Sequence, residues 1–318
     1  MIDYRDKKWT WITPLNTTWN PPDPNEGYTI DAERNFTRLI RANAFHIDCE
    51  NIDMTSDIYV LVQFDINNLE KEVAFAKKIK DLGKKLVVCY SADLRFLLGN
   101  CLISPRGVLY TELCKYADVI LSGTSTDIDI YGRYYNKVLH WGLPVERLDF
   151  SDRSYNERQI DILISSSAGE ESFSFEFELE MLLLERHSNL KIVHSLQECH
   201  KSWLDPFRNK GVEFVHESLL KNLVNTKVYI NPEIRPRGGR ALLDAWYCRT
   251  PFISCDMTFY SQIFPEFTYN RMHINNIADL YDKVIQSDYN TIISKAEKIM
   301  EPLYFDNCIK DLMKRLYP

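Results

Sequence analysis

Residues 230–256 read INPEIRPRGGRALLDAWYCRTPFISCD. An apolar strand, KVYINP (227–232), runs into a loop carrying two prolines, Arg235, Arg237 and the glycine pair Gly238 and Gly239. A helix with Arg240 in its first turn follows (239–249), and a second apolar strand, PFISCD (251–256), closes the unit. Strand, loop, helix and strand in this order form one step of a parallel sheet. Glycines let the backbone approach a ligand closely, unpaired amides at a helix start donate to an anion, and guanidinium groups grip phosphate oxygens in pairs. The loop therefore suits a diphosphate. Asp244 lies one helical turn after Arg240, where its carboxylate can accept the paired hydroxyls of a ribose; the plainer alternative is an Arg–Asp surface pair on an ordinary helix.

The same alternation extends along the chain. Upstream come strand 8–15, a helix over 31–45 with Asp31 at its cap, strand 57–65, an amphipathic helix over 68–83 stopped by Gly83, strand 84–91, helix 109–118 and strands 119–124 and 137–142. The polar stretch ERLDFSDRSYNERQ (146–159) reads as a linker. After it come strand 160–167, helix 175–188, strands 190–196 and 212–216, helix 217–226, the quoted unit and a helical tail from residue 276. The expected architecture is α/β: two Rossmann-like doubly wound domains facing a cleft, residues 1–150 and 151–318, the last helix able to pack back on the first domain. In such sheets ligands bind beyond the carboxyl ends of the strands. The Pro- and Asn-rich connection 16–30 directly follows the first strand, which makes it a loop of that cleft or a rigid surface loop.

Bulk properties narrow the function classes. The 318 residues are 45% hydrophobic and 26% charged, enough for two cores, and the net charge of -7 offers no general attraction to nucleic acid or anionic lipid. An anion site must then be local. Eight cysteines, at 49, 89, 101, 114, 199, 248, 255 and 308, contain no C-x-x-C pair and read as buried thiols in a reducing compartment. The charged start MIDYRDKKWTW lacks the apolar core of a signal peptide, and no apolar stretch reaches bilayer length. A cytoplasmic protein with at most peripheral membrane contact is expected, and the sequons at Asn16 and Asn35 are then chance matches.

On these residues the C-terminal half resembles the donor domain of the GT-B glycosyltransferases, particularly the retaining family-four (group 1) nucleotide-sugar enzymes. Gly239 falls on the second glycine of that family's Gly-x-Gly step, Asp244 on its second glutamate, and Thr250-Pro251 on its Thr-Pro pair. GVEFVHESLLKNLVNTKVYINP (211–232) resembles the segment that flanks the nucleotide base, which implies base contacts at Phe214, Val215 and His216. More loosely, AKKIKDLGKKLVVCYSADL, KYADVILSGTS and KVLHWGLPVERLDF are similar to elements of the family's first half and interdomain crossing, so the resemblance spans most of residues 57–256 in order.

Two departures bear on activity. The family's first glutamate falls at Pro236, and Glu233, three residues earlier, is the available substitute. The family's Arg and Lys after the first donor-domain strand have no counterpart, because SSSAGEESFSF (165–175) holds no basic residue. Arg235, Arg237 and Arg240 then supply the countercharge that a diphosphate needs, with Ser165, Ser166, Ser167 and the Gly169 backbone adding hydrogen bonds.

Other candidates are weaker. Ser91 and Asp93 follow an apolar strand, where Asp93 either positions an acceptor hydroxyl or caps the next helix. His140 reads as a packed hinge residue, while His194 and His216 end strands near the expected base and phosphate. Asp127–Asp129, a DID sequence, matches the Asp-x-Asp of another glycosyltransferase fold but reads as a helix start, and HSLQECH (194–200) lacks a zinc spacing. No metal and no cofactor beyond the donor are expected.

The resemblance implies transfer of a sugar from a UDP- or GDP-linked donor to the hydroxyl of a glycan, lipid-linked or small-molecule acceptor, with retention of configuration. The catalytic candidates are Glu233, Asp93 and Arg240; the donor-binding candidates are Arg235, Arg237, Gly238, Gly239, Asp244, Ser166, Phe214, Val215 and His216. The alternatives are a sugar-nucleotide epimerase or a non-catalytic nucleotide-sugar binder, and a transferase acting on modified DNA bases, against which the acidic charge weighs.

Overall fold

The computed structural model describes residues 2–13, 32–63, 69–90, 105–122, 137–140, 145–151, 153–165, 173–196, 202–216, 219–232, 240–256, 258–270 and 274–318. They fall into two compact units, one built from described residues up to Glu146 together with Pro302–Pro318, the other from Arg147–Glu301.

The first unit holds strands β1 (Trp9–Thr13), β2 (Asn43–His46), β3 (Ile58–Gln63), β4 (Lys85–Tyr90), β5 (Val119–Ser122) and β6 (Val138–His140). They form one parallel sheet in the order β2-β1-β3-β4-β5-β6. Side chains alternate between its faces, as the two-residue period of a strand requires. Ile12, Tyr59, Leu61, Leu86, Val88 and Ile120 pack on one side against α2 (Leu69–Asp81) and α3 (Pro105–Tyr116). Trp9, Trp11, Ile58, Val60, Val87 and Val119 pack on the other against α1 (Ala32–Leu39) and the C-terminal helix Phe305–Leu316. Both faces are apolar because both are covered, which is why these strands read as near-continuous hydrophobic runs. The terminal helix is seated by a backbone bond from Phe305 N–H to the Val145 carbonyl at 2.8 Å.

One expectation fails here. The helix read over 31–45 stops at Leu39, and residues 43–46 form β2, in register with β1 from Thr10↔Asn43 to Thr13↔His46. The stop is a six-to-one bond from Ala42 N–H to the Thr37 carbonyl at 2.9 Å, with Arg41 in the left-handed region at φ 54. Gly83 ends α2 in the same way at φ 69, and there the glycine announces the turn. The cysteines are likewise only mostly buried: Cys89, Cys114, Cys248, Cys255 and Cys308 are, but Cys49 is exposed.

The second unit holds β7 (Ile160–Ser165), β8 (Ile192–Ser195), β9 (Val212–Val215), β10 (Thr226–Asn231), β11 (Phe252–Cys255) and β12 (Thr268–Tyr269). The helices are α4 (Phe173–Arg186), α5 (Asp205–Arg208), α6 (Leu219–Leu223), α7 (Arg240–Tyr247), α8 (Ile277–Gln286) and α9 (Tyr289–Met300), so the terminal helix of the first unit is α10. The parallel order is β12-β11-β10-β7-β8-β9. From β7 the chain first winds outward through β8 and β9, then returns to β10 on the other side and winds through β11 and β12. The switch point of this sheet therefore lies between β7 and β10, and the connections leaving their carboxyl ends flank the ligand position usual for such folds.

At the opposite, amino end, Arg158 fastens the linker to the sheet. Its guanidinium, 2% exposed, donates to the Thr226 carbonyl (2.8 Å), Thr250 Oγ1 (2.9 Å) and the Cys248 carbonyl (2.9 Å), and lies over the stacked rings of Tyr155 and Tyr289. Burial holds its pKa below the ordinary arginine value. Carbonyl dipoles and ring faces stand in for a carboxylate, and losing the guanidinium would leave buried acceptors unsatisfied. Arg158→Met is expected to destabilise this unit by about 2–4 kcal/mol in urea denaturation.

Candidate functional site

The carboxyl ends of β7 and β10 are joined side chain to side chain. Ser165, the last residue of β7, shares a 2.6 Å hydrogen bond with the Tyr229 hydroxyl of β10, and the Tyr269 hydroxyl of β12 donates to the Asn231 carbonyl at 2.9 Å. From this fixed edge leave two connections, 166–172 into α4 and 233–239 into α7. Ser166 stands at the head of the first; Glu233, Arg235, Arg237, Gly238 and Gly239 occupy the second. The two segments that carry most of the candidate donor-binding residues follow these strand ends in sequence. Those six residues themselves lie outside the described residues, as do Ser167, Gly169 and Pro236. So do Asp93, Ser91, the 16–30 connection, Asp31 and Asp127–Asp129.

Arg240 opens α7, as expected for a residue at a helix start, although its side chain is outside the described set. Asp244 is described and is 3% exposed, among the buried Leu242, Leu243, Ala245, Trp246 and Tyr247. Asp244 is therefore not on a solvated helix face. A carboxylate held among apolar side chains requires polar partners, which a solvated helix face does not. The helix ends with Thr250 N–H on the Ala245 carbonyl (2.8 Å) and Arg249 at φ 51, where its guanidinium lies 4.2 Å from the Trp246 ring centroid.

The base-flanking candidates separate. His216 is exposed, immediately after β9. The Val215 carbonyl already accepts from Leu196 N–H at 2.9 Å. Phe214 is half-buried, with the Arg208 guanidinium 5.5 Å from its ring centroid and the His194 ring at 5.4 Å.

His194, expected at a strand end near the base and phosphate, is a buried residue. It occupies the third position of β8, fully buried, with Nδ1 donating to Glu180 Oε1 at 2.5 Å and Nε2 facing Glu176 Oε2 at 3.3 Å. Both carboxylates come from α4 and are also fully buried. Both ring nitrogens are directed at carboxylates, so this is a charge group and not a ligand set. Among the described residues no cluster of three His, Cys, Asp or Glu is placed to hold a metal ion. Sequence reasoning missed the two glutamates; the available signal was Glu176 and Glu180 four residues apart on one face of α4, with a histidine inside an apolar strand nearby.

Burial favours the neutral imidazole, yet hydrogen bonds to Glu176 and Glu180 override it and push the pKa up from 6.5 to about 9. Burial raises the Glu180 carboxyl above the usual carboxylate range. In both cases the folded state holds its proton more tightly than the unfolded one, so stability falls as pH rises. The His194 contribution is complete below pH 6.5 and is lost as pH climbs through 9. The unfolding free energy is expected to fall between pH 6 and 9, by at most about 1.4 kcal/mol per pH unit from His194, and His194→Gln is expected to flatten that dependence.

No family model matches the chain and no curated sequence matches it. Its fold does match solved structures. Anabaena HepE, solved in complex with UDP, aligns over 97% of this chain and 99% of its own, with 11% identity and a TM-score of 0.62. WaaG, a glycosyltransferase involved in lipopolysaccharide biosynthesis, aligns over 93% and 95% with 12% identity and a TM-score of 0.55. A TarM mutant from S. aureus, solved with fondaparinux, alpha-GlcNAc-glycerol and UDP, aligns over 82% of this chain with 12% identity and a TM-score of 0.59; the chain spans 55% of TarM's length. Among the described residues no helix is long and apolar enough to cross a membrane. The two parallel sheets, their strand order and these alignments give the chain the GT-B glycosyltransferase fold.

Proposed function

We propose that the protein is a glycosyltransferase that moves a sugar from a nucleoside-diphosphate sugar, held by the second unit, to the hydroxyl of a glycan or related acceptor held by the first. The observation that carries this reading is the match to HepE along nearly the full length of both chains, with UDP bound in that protein. The position of the arginine- and glycine-bearing connection beyond β10, at the switch point, supports it. In this reading Arg235, Arg237, Arg240 and the amides at the start of α7 stabilise the negative charge that develops on the departing diphosphate, without a metal ion or other cofactor. Asp244 accepts the ribose hydroxyls, Glu233 takes the place of the family glutamate that falls at Pro236, and the anomeric configuration is retained. Asp93 orients the acceptor hydroxyl, and the reaction runs in the cytoplasm.

Pro236 and the absence of Arg or Lys from residues 165–175 favour a second reading, a nucleotide-sugar binder without transferase activity or an epimerase. One experiment separates these readings from a site with no ligand. A ligand bound by the folded state alone raises the melting midpoint by mass action. In a thermal-shift series with UDP, GDP and ADP, one nucleotide is expected to raise the midpoint, and Arg240→Ala and Asp244→Ala are each expected to abolish the shift. Hydrolysis or transfer from the matching sugar conjugate then identifies the transferase, whereas a shift without turnover identifies the binder. No shift with any nucleotide would overturn the proposal.

A further inference from the structure

One transverse row of the second unit's sheet departs from its apolar pattern. Ser254 of β11 pairs in register with Asn231 of β10 and with Thr268 of β12, and Ser165 of β7 pairs with Ser195 of β8. The pair Ile230↔Ile164, one residue earlier, sets Asn231 beside Ser165 and so joins the two halves across the switch point. Register partners project from the same face of a sheet. Neighbouring strands therefore carry Thr268, Ser254, Asn231, Ser165 and Ser195 in one line near the carboxyl edge. Two residues earlier on that face stand Phe252, Tyr229, Leu163 and Val193, the pattern of a covered sheet.

The row faces α7. His194 and Ser195 are successive, so they point to opposite sides of the sheet, and His194 meets α4. The crossovers through α4 and α7 run in opposite directions along the sheet, and right-handed crossovers then place these helices on opposite faces. Burial deepens along the row, from the half-buried Ser195 and Ser165 to Asn231, 5% exposed, and Ser254, 1% exposed. The Thr268 hydroxyl donates to the Pro265 carbonyl at 3.0 Å, and Ser165 is bonded to Tyr229. Ser254 Oγ is different: it is buried with no hydrogen-bond partner among the described residues. A buried hydroxyl left unpaired is destabilising, and native proteins keep such a group where something else comes to meet it.

We propose that Asn231 and Ser254 are specificity-determining residues that bind hydroxyl groups of the sugar carried by the donor, with Ser254 closing the inner end of that subsite. The assignment rests on the nucleotide-sugar reading given above. The row offers hydroxyls and one carboxamide and no charge. Each of these groups both donates and accepts, as the hydroxyls of a sugar do, whereas a phosphate requires countercharge. Ser165, Asn231 and Ser254 lie on three adjacent strands and so span about 10 Å, room for one pyranose ring. A site that bonds a hydroxyl discriminates against the sugar lacking it, because its own polar groups are then left unpaired.

The test is calorimetric titration into the full-length protein, first of UDP, GDP and ADP, then of the glucose, galactose, mannose and N-acetylglucosamine conjugates of the nucleotide that binds. A melting midpoint without ligand is taken for each variant. Ser254→Ala removes the unpaired hydroxyl, so it is expected to melt at or above the wild-type midpoint. It is expected to bind the free nucleotide as the wild type does and the preferred sugar conjugate at least tenfold more weakly. If Ser254→Ala is not folded by circular dichroism, Ser254→Cys, whose thiol is a weak donor and acceptor, replaces it with the same expectation. Wild-type affinity for the conjugate in the folded variant would overturn the role of Ser254. An equal loss for free nucleotide and conjugate would overturn the assignment to the sugar, and nucleotide binding with no conjugate bound would overturn the subsite alone. Wild-type protein that binds none of the three nucleotides would overturn the donor reading, and this subsite with it.

Discussion

The reversal of strand order between β7 and β10 is the constraint on which the second unit depends. A parallel sheet wound outward in both directions from one pair of strands must send two connections upward from neighbouring strand ends, with no crossover helix covering the space between them. Here those strand ends are held together by the Ser165–Tyr229 hydrogen bond, and the connections they release are the serine-rich 166–172 and the arginine- and glycine-rich 233–239. In sequence, anion-binding residue types directly follow these two strand ends. The acidic net charge of the whole chain is compatible with this, since countercharge need be supplied only locally.

Buried charge is placed at both ends of the same sheet, with different partners. At the amino end Arg158 is satisfied by neutral carbonyls and ring faces, and it binds the linker, the start of β10 and the end of α7 into one piece. At the carboxyl end His194 is satisfied by two carboxylates from one helix. The first arrangement ties segments far apart in sequence and serves folding stability; the second fixes how one helix lies on its strand. Asp244, on α7, is a third buried ionisable side chain of this unit.

Much of the architecture was legible because both sheet faces are covered. Runs such as KLVVCY and KVYIN could only be buried strands, and Gly83 marked its helix end directly. The boundary of α1 was not legible, since Arg41 takes a left-handed conformation that sequence assigns to glycine, and β2 is stabilised by pairing with β1 rather than by its own pattern. The two residues of β12 are too few to show a period. Of the candidate site, the glycine and arginine stretch was found by its chemistry, whereas the burial of Asp244 was not read from the sequence. The His194 group escaped because it joins residues 14 and 18 positions apart across a helix and a strand, which single-sequence periodicity does not register.

Where a nucleotide sits decides the role of the second unit. Hydrogen–deuterium exchange with and without saturating UDP, or with GDP or ADP if one of these binds instead, reads this at peptide level. Protection is expected in peptides covering 165–176 and 231–245, on both sides of the switch point. Nucleotide-dependent protection confined to residues 9–140, with those two segments unchanged, would contradict it.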